Sequence, residues 1–329
     1  MKVGKAYFRG CLLGGATADA KGYGVKEGGK DLISDNTQMT SFTVDGLIWA
    51  DMRAIKRGVY AYTPCLFYSY QKWYYTQTGN LADKNYAFIL DGEILDWEEL
   101  FARRGMGQTS ITALAGSIDN RFGTLKNRIN TSKGCGSIMR VAPIGLYFWK
   151  NENAAFRIGL ESGALTHGHI DAVLAAGFYA AFIALIIQGK SMKDSALGAL
   201  EILKTHEGHE SVSEKIELAI ELAGKNIPPV KAMEKIGEGY TADEAAALAI
   251  FLDIRYSDDF DGAISAATSF NGNTDSIPPI VGNAIGAFGG DSVIPQKWIN
   301  ELELVDLIKH GADLLLERVD AEVMEHEGL

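Results

Sequence analysis

Cysteine is scarce: Cys11, Cys65 and Cys135 are the only three in 329 residues. They are odd in number, far apart and without a CxxC pair, which removes the basis for a zinc–thiolate cage or a disulfide framework. Reduced, mostly buried thiols in a cytoplasmic protein are the simpler expectation. Basic charge is also short, with 31 Lys and Arg against 42 Asp and Glu and a net charge of −11. A nucleic-acid backbone needs a basic surface, so nucleic acid is expected at most as a modified acceptor; a local pocket for a small phosphate remains compatible. The opening MKVGKAYFRGCLLGGA interrupts its apolar stretch with glycines and soon meets Asp19, unlike a signal peptide. The most apolar run, residues 172–187, falls short of the about 20 residues of a membrane span. It reads as a helix buried on all sides, and no membrane partner is expected. Alternating strand patterns are nearly absent; only Tyr86–Asp91 invites that reading, weakly. No internal repeat, linker or low-complexity tract breaks the chain.

What is present is helical periodicity in a composition that is 47% hydrophobic and 22% charged, as in ordinary globular proteins. The spacing predicts helices over 38–57, 154–165, 170–188, 192–203, 212–224, 228–237, 241–252, 275–289 and 301–318. Gly189 and Gly208 suit helix stops, and Pro228–Pro229 suit a helix start. Two long connections, roughly 75–97 and 119–137, are where ordered loops would carry function. The expectation is one all-helical domain over residues 1–329.

Four stretches have the residue types that chemistry needs. SDNTQMT (residues 34–40) and NGNTDS (271–276) each combine carboxylate, carboxamide and hydroxyl before a helix. Taken singly they are caps: Asp35 with Gln38 would make a capping box, Ser34 could cap as well, and Asp275 or Ser276 would cap a helix holding Pro278 in its first turn. Gly282 and Gly286, four apart, would let another helix approach closely. Taken together, Ser34, Asp35, Asn36, Asn273, Asp275 and Ser276 could offer oxygen donors to a hard cation. SKGCGSIMRVAPIGL (132–146) places Gly134 and Gly136 before an apolar helix-like run, an arrangement that suits a phosphate or is simply a turn. There Arg140 would add charge or pair with an acidic neighbour. THGH (166–169) opens the buried helix; its two histidines are two apart, not the four of a helical zinc pair. Either one meets a ligand, or Thr166 caps the helix and the histidines fill its mouth. His206, His209, His310 and His326 look solvent-facing.

In this order the four stretches, with FRGCLLGGATADAKGYG at the start, resemble the ADP-ribosylglycohydrolase family from about Phe8 to Ala312. The resemblance implies an all-α, orthogonally packed fold with a central cleft. It implies removal of ADP-ribose from a modified acceptor with a pair of Mg²⁺ or Mn²⁺ ions. By match, Ser34, Asp35, Asn36, Asn273, Asp275 and Ser276 fall on metal-ligand positions. Gly134, Cys135, Gly136, Ser137 and Met139 fall on the turn lining the diphosphate and ribose, and His167 on a ligand-contacting histidine. Asp35 is then the expected base and Asp275 its partner in holding metal.

This sequence departs from the family where charge matters. Asn36 and Asn273 stand where the family pattern has Asp, as does Asn271; Ala18, Phe270, Ile277 and the GMGQTS run after Arg103–Arg104 also differ. Two carboxylates balance one divalent ion, not two, so the expectation is a single cation or a weakly held pair. Two functions follow from the same resemblance. One is a hydrolase slowed by Asn36 and Asn273. The other is a catalytically silent protein that binds ADP-ribose or occludes a partner such as an ADP-ribosyltransferase. A purely structural role would predict no ligand at all.

Overall fold

Helix α1 (Lys5–Tyr23) and helix α13 (Ile277–Gly289) cross in direct backbone contact, and this pair organises the rest. Their glycines explain the closeness. A methyl group on Gly10 or Gly14 would overlap the backbone of Gly286 or Gly282, and the reverse holds from α13. The pair runs antiparallel, since Gly10 meets Gly286 while Gly22 meets Thr274 and Pro278. The late part of α1, with Asp19, therefore lies beside the loop that opens α13. Asn283 Nδ2 donates to the Cys11 carbonyl (2.8 Å), giving the buried contact its one side-chain hydrogen bond.

The computed structural model describes the backbone of residues 1–327 and the side chains of residues 1–319; the His326 side chain lies outside the described residues. A two-stranded hairpin, β1 (Lys26–Glu27) with β2 (Lys30–Asp31), leads from α1 into α2 (Asp35–Arg57). The chain continues through α3 (Tyr62–Thr78), three short 3₁₀ turns, α4 (Gln108–Ala115), the glycine turn and α5 (Ala142–Tyr147). Then come α6 (Glu152–Ala164), α7 (Ile170–Ile187), α8 (Met192–Leu203), α9 (Glu210–Ala223), α10 (Pro229–Ile236) and α11 (Ala242–Arg255). After α11 the chain forms α12 (Phe260–Ser269), α13, α14 (Gln296–Glu301) and α15 (Val305–Glu327).

Helix α7 is buried from Asp171 to Ile187 and contacts α5, α6, α8, α9, α11 and α13. Among the described residues it is the one helix long and apolar enough to cross a membrane by length and composition, yet protein surrounds it. Around it α1, α5, α6, α11 and α13 contribute to one apolar core, so the chain is a single all-α domain, as expected.

Several local expectations change. The segment Lys84–Leu90 is a 3₁₀ helix, not a strand: Tyr86 and Ile89, three apart, are its buried residues. Helices α1, α3, α4 and α12 lie outside the ranges the spacing predicts, as does α14 but for Glu301. The capping box at α2 does not form. Ser34 is the cap, accepting from Asn36 N at 3.2 Å, while Gln38 donates to the Ala102 carbonyl (2.9 Å) and accepts from Trp73 Nε1 (3.2 Å). Thr166 does not cap α7 either; His169 does, its Nδ1 accepting from Asp171 N at 3.1 Å. His206 is half-buried and stacks on Phe156 with ring centroids 4.4 Å apart, so it does not face solvent freely.

Candidate active site

The site is built on Asp19. Its carboxylate is fully buried and accepts from Ser34 N (2.9 Å), Ser34 Oγ (2.5 Å), Thr37 N (3.2 Å) and Thr37 Oγ1 (2.5 Å). These bonds fasten the first turn of α2 to α1, and the α1–α13 contact brings the Asp275 loop to the same place. Sequence reasoning had Asp19 only as part of the opening motif, not as the group that joins both acidic stretches.

Asp35 follows on α2 and is 3% exposed. Its Oδ2 accepts from Gly107 N (2.9 Å), and its own N–H donates to the Arg104 carbonyl (2.8 Å). The GMGQTS loop thus lies over Asp35, and Gly105 serves it through its positive φ of 71° rather than by avoiding a clash. Arg104 is held from behind by Glu303. Burial, reinforced by Asp275 and Asp19 and opposed by the Gly107 bond, pushes Asp35 up to about 8. Burial likewise raises Asp19 to about 6 against its hydrogen bonds. Asp275 also rises through burial, offset by a hydrogen bond from Asn36. Three carboxyl groups are crowded together, and one of them keeps a proton near neutral pH.

The two carboxamides behave differently. Asn36 turns its NH₂ toward acceptors only: Ser34 Oγ (2.7 Å), Asp19 Oδ1 (3.4 Å) and the Asp275 carboxylate. Its Oδ1 is buried without a partner. Asn273 is spent at both ends. Its Oδ1 accepts from Asp275 N (3.3 Å) and Ser276 N (3.0 Å), capping the turn that leads into α13, while neither Asp275 nor Ser276 caps the helix itself with its side chain. Its Nδ2 donates to the Gly239 carbonyl (3.1 Å) and Cys135 Sγ (3.2 Å).

The glycine turn stands opposite. A 3₁₀ turn at Cys135–Ser137 is pinned by Cys135 N to the Tyr240 carbonyl (3.2 Å) and by Ala242 N to the Lys133 carbonyl (2.8 Å). The same segment holds the other loop, since Asn273 N donates to the Glu238 carbonyl (2.7 Å). Residues 238–242 are therefore a shared spine for both loops, which no motif in EGYT revealed. His167 closes on the turn: a methyl at Gly136 would lie 3.0 Å from its ring and one at Gly134 3.3 Å. Burial, then Arg140, hold His167 down to about 3, so it is neutral; its Nδ1 pairs with Thr166 Oγ1 (2.8 Å). Ser137 and Met139 turn inward, Ser137 Oγ donating to the Ala172 carbonyl (2.9 Å). Arg140 neither faces the cleft nor pairs with an acid. It lies over the Tyr70 ring and donates to the Gly136 and Ser162 carbonyls (3.0 Å each) and to Thr166 Oγ1 (2.7 Å). His167 also lines a cavity of about 380 Å³ walled by Leu160, Ile170, Leu174, Arg128 and His206.

The fit to a pair of cations fails on hydrogen bonding. Ser34 Oγ donates to Asp19 and accepts from both nitrogens of Asn36, so its lone pairs are taken. Asn273 Oδ1 is taken by two N–H groups. Among the described residues no three His, Cys, Asp or Glu side chains gather as a metal cage.

Comparison with known proteins agrees with this architecture. A protein of Archaeoglobus fulgidus without an assigned function is 29% identical over 187 residues, 56% of this chain and 59% of its own. An ADP-ribosylarginine hydrolase of Pseudomonas putida is 25% identical over 215 residues, 65% of this chain and 54% of its own. The matches thus span little more than half the length of these relatives. A solved structure titled ADP-ribosylglycohydrolase-related protein complex superposes with a TM-score of 0.59 and 18% identity, covering 96% of this chain and 98% of that one, a likeness of fold. The family described as ADP-ribosylglycohydrolase matches residues 5–323, nearly the whole chain, and the chain belongs to that family.

Proposed function

We propose that the cleft binds the ADP-ribose end of an ADP-ribosylated acceptor and hydrolyses the glycosidic bond that joins them. One observation carries the reading: His167 is shared by the glycine turn, which faces the Asp35–Asp275 pair, and by a cavity of about 380 Å³. That volume lies in the range of small-molecule sites, and a nucleoside fits it. The diphosphate then runs along the backbone of Gly134–Gly136 beside His167, and the distal ribose reaches Asp35.

Asp35 takes the proton of a water as that water's oxygen bonds to the anomeric carbon. The glycosidic bond breaks, and the acceptor atom leaves with its electron pair and gains a proton. A carboxylate raised to about 8 is a stronger base than an ordinary one and is in its basic form only above that pH. Neutral His167 offers Nε2 toward the turn for a ligand hydrogen bond. Because Ser34 and Asn273, two of the six oxygen positions, are taken by protein hydrogen bonds, no step is assigned to a pair of Mg²⁺ or Mn²⁺ ions.

The test is release of ADP-ribose from ADP-ribosylated arginine, serine and nucleic-acid ends, followed by chromatography. Release that disappears in Asp35→Asn supports the reading. Silence on all three substrate classes with ADP-ribose still bound would move the assignment to a binding or partner-occluding protein. The engagement of Asn273 with protein groups on both sides favours that second reading.

A further inference from the structure

The two carboxamides raise the question of what holds three buried carboxyl groups together. Asp19 and Asp275 come from helices joined by close contact, and their like charges oppose that approach. A divalent ion would relieve the repulsion, but several of the oxygens that would hold one are already committed, Asn36 Oδ1 being the buried exception. Asp19 has acceptor bonds from two backbone N–H groups and two hydroxyls, and Ser34 Oγ and Asn273 Oδ1 are saturated. The Asn36 NH₂ lies instead where all three acceptors converge: Asp19, Asp275 and Ser34. The orientation of this amide is fixed by its neighbours, because reversing it would set its oxygen against those same acceptors.

We propose that Asn36 replaces a divalent cation: its amide bridges Asp19 of α1, Ser34 at the start of α2 and Asp275 just ahead of α13, so the cleft assembles and takes ADP-ribose without divalent metal. Asn273 completes the device by locking the α13 loop to Cys135 and Gly239. This rests on the ADP-ribose reading only for the identity of the ligand; the statement about cations stands on the hydrogen bonds.

The experiment has two arms on the full chain. In the first, Mn²⁺ alone is titrated and the free-ion signal followed by electron paramagnetic resonance. The wild type is expected to leave Mn²⁺ free, and the Asn36→Asp/Asn273→Asp variant to take it up. Stoichiometric Mn²⁺ uptake by the wild type would overturn the proposal. In the second, ADP-ribose is titrated calorimetrically in EDTA and again in millimolar Mg²⁺, with Kd expected to agree within about twofold. Binding tightened about tenfold or more by Mg²⁺ overturns the proposal and leaves the ligand reading intact. No ADP-ribose binding in either buffer, with Mn²⁺ still free, overturns the ligand reading and upholds metal-free assembly. If the double variant fails to fold, the melting temperature of the wild type decides: an increase with Mn²⁺ contradicts the proposal, and indifference supports it.

Discussion

Helices α2 and α13 begin with nearly the same letters, yet their starts are built in opposite ways. At α2 the hydroxyl of Ser34 caps, and the asparagine is free to reach across to other helices. At α13 the asparagine caps the turn that leads into the helix, and Ser276 contributes no capping side chain. The difference follows from what each faces. Asn36 looks onto the acceptors of Asp19 and Asp275, so its NH₂ is used and its oxygen orphaned. Asn273 lies between a row of N–H donors and the Gly239 carbonyl, so both its ends are used. Similar motifs therefore support different substitutions.

Loss of turnover is the largest expected effect. Asp35→Asn should lower ADP-ribose release by ~10²–10⁴ while the unfolding midpoint moves little, because the helix start hangs on Asp19 rather than on Asp35. Next comes Asp19→Ala, which strands the donors of Ser34 and Thr37 at α2 alone; urea titration should show a loss of about 3–5 kcal/mol. The direct test of the contrast is Asn36→Asp beside Asn273→Asp, both in EDTA. The first adds a charge among carboxylates and should cost about 2–3 kcal/mol. The second keeps the cap and loses its donation to Cys135 and Gly239, about 1 kcal/mol. Equal losses would erase the distinction between the two starts.

A pH series sharpens it further. Asp35 and Asp19 titrate higher in the fold than in the unfolded chain, so the folded state binds more protons between the two values. Stability should therefore fall as pH rises from about 4 toward 8, and Asp35→Asn should flatten that slope in equilibrium denaturation. The smallest effect belongs outside the site. Asp253, fully buried with both oxygens unpartnered, is held protonated by burial. Asp253→Asn should change stability at neutral pH by less than about 1 kcal/mol, read by thermal melting.

Legibility in the sequence tracked the contrast between surface and interior. Helix α8 matches its expected bounds because Ser191 caps it and one face alone is apolar. Helix α1 left no stripe, since from Gly10 to Ala20 it is buried on every side by small residues, and its glycines mimic breakers. Helix α3 buries Gln71, Lys72, Thr76 and Gln77, which reads as polarity rather than core. At the candidate site, the residues the proposal uses are the ones that motifs name: Ser34, Asp35, Asp275, Gly134, Gly136 and His167. Their supports are not so named. Asp19 and the 238–242 spine act through backbone and hydrogen bonds across distant parts of the chain, and such contacts have no local pattern.

The glycine-to-glycine crossing of α1 and α13 also sets a schedule. Cys11 and Asn283, bonded in the native core, are 272 positions apart. On a ribosome α1 must wait for some 272 further residues before its partner exists. Until then its small-residue face has nothing to close upon, and Asp19 has no Asp275 beside it. A nascent or prematurely terminated chain can thus hold every residue of the glycine turn and still lack a cleft. Emergence of α13 is what switches the site into being.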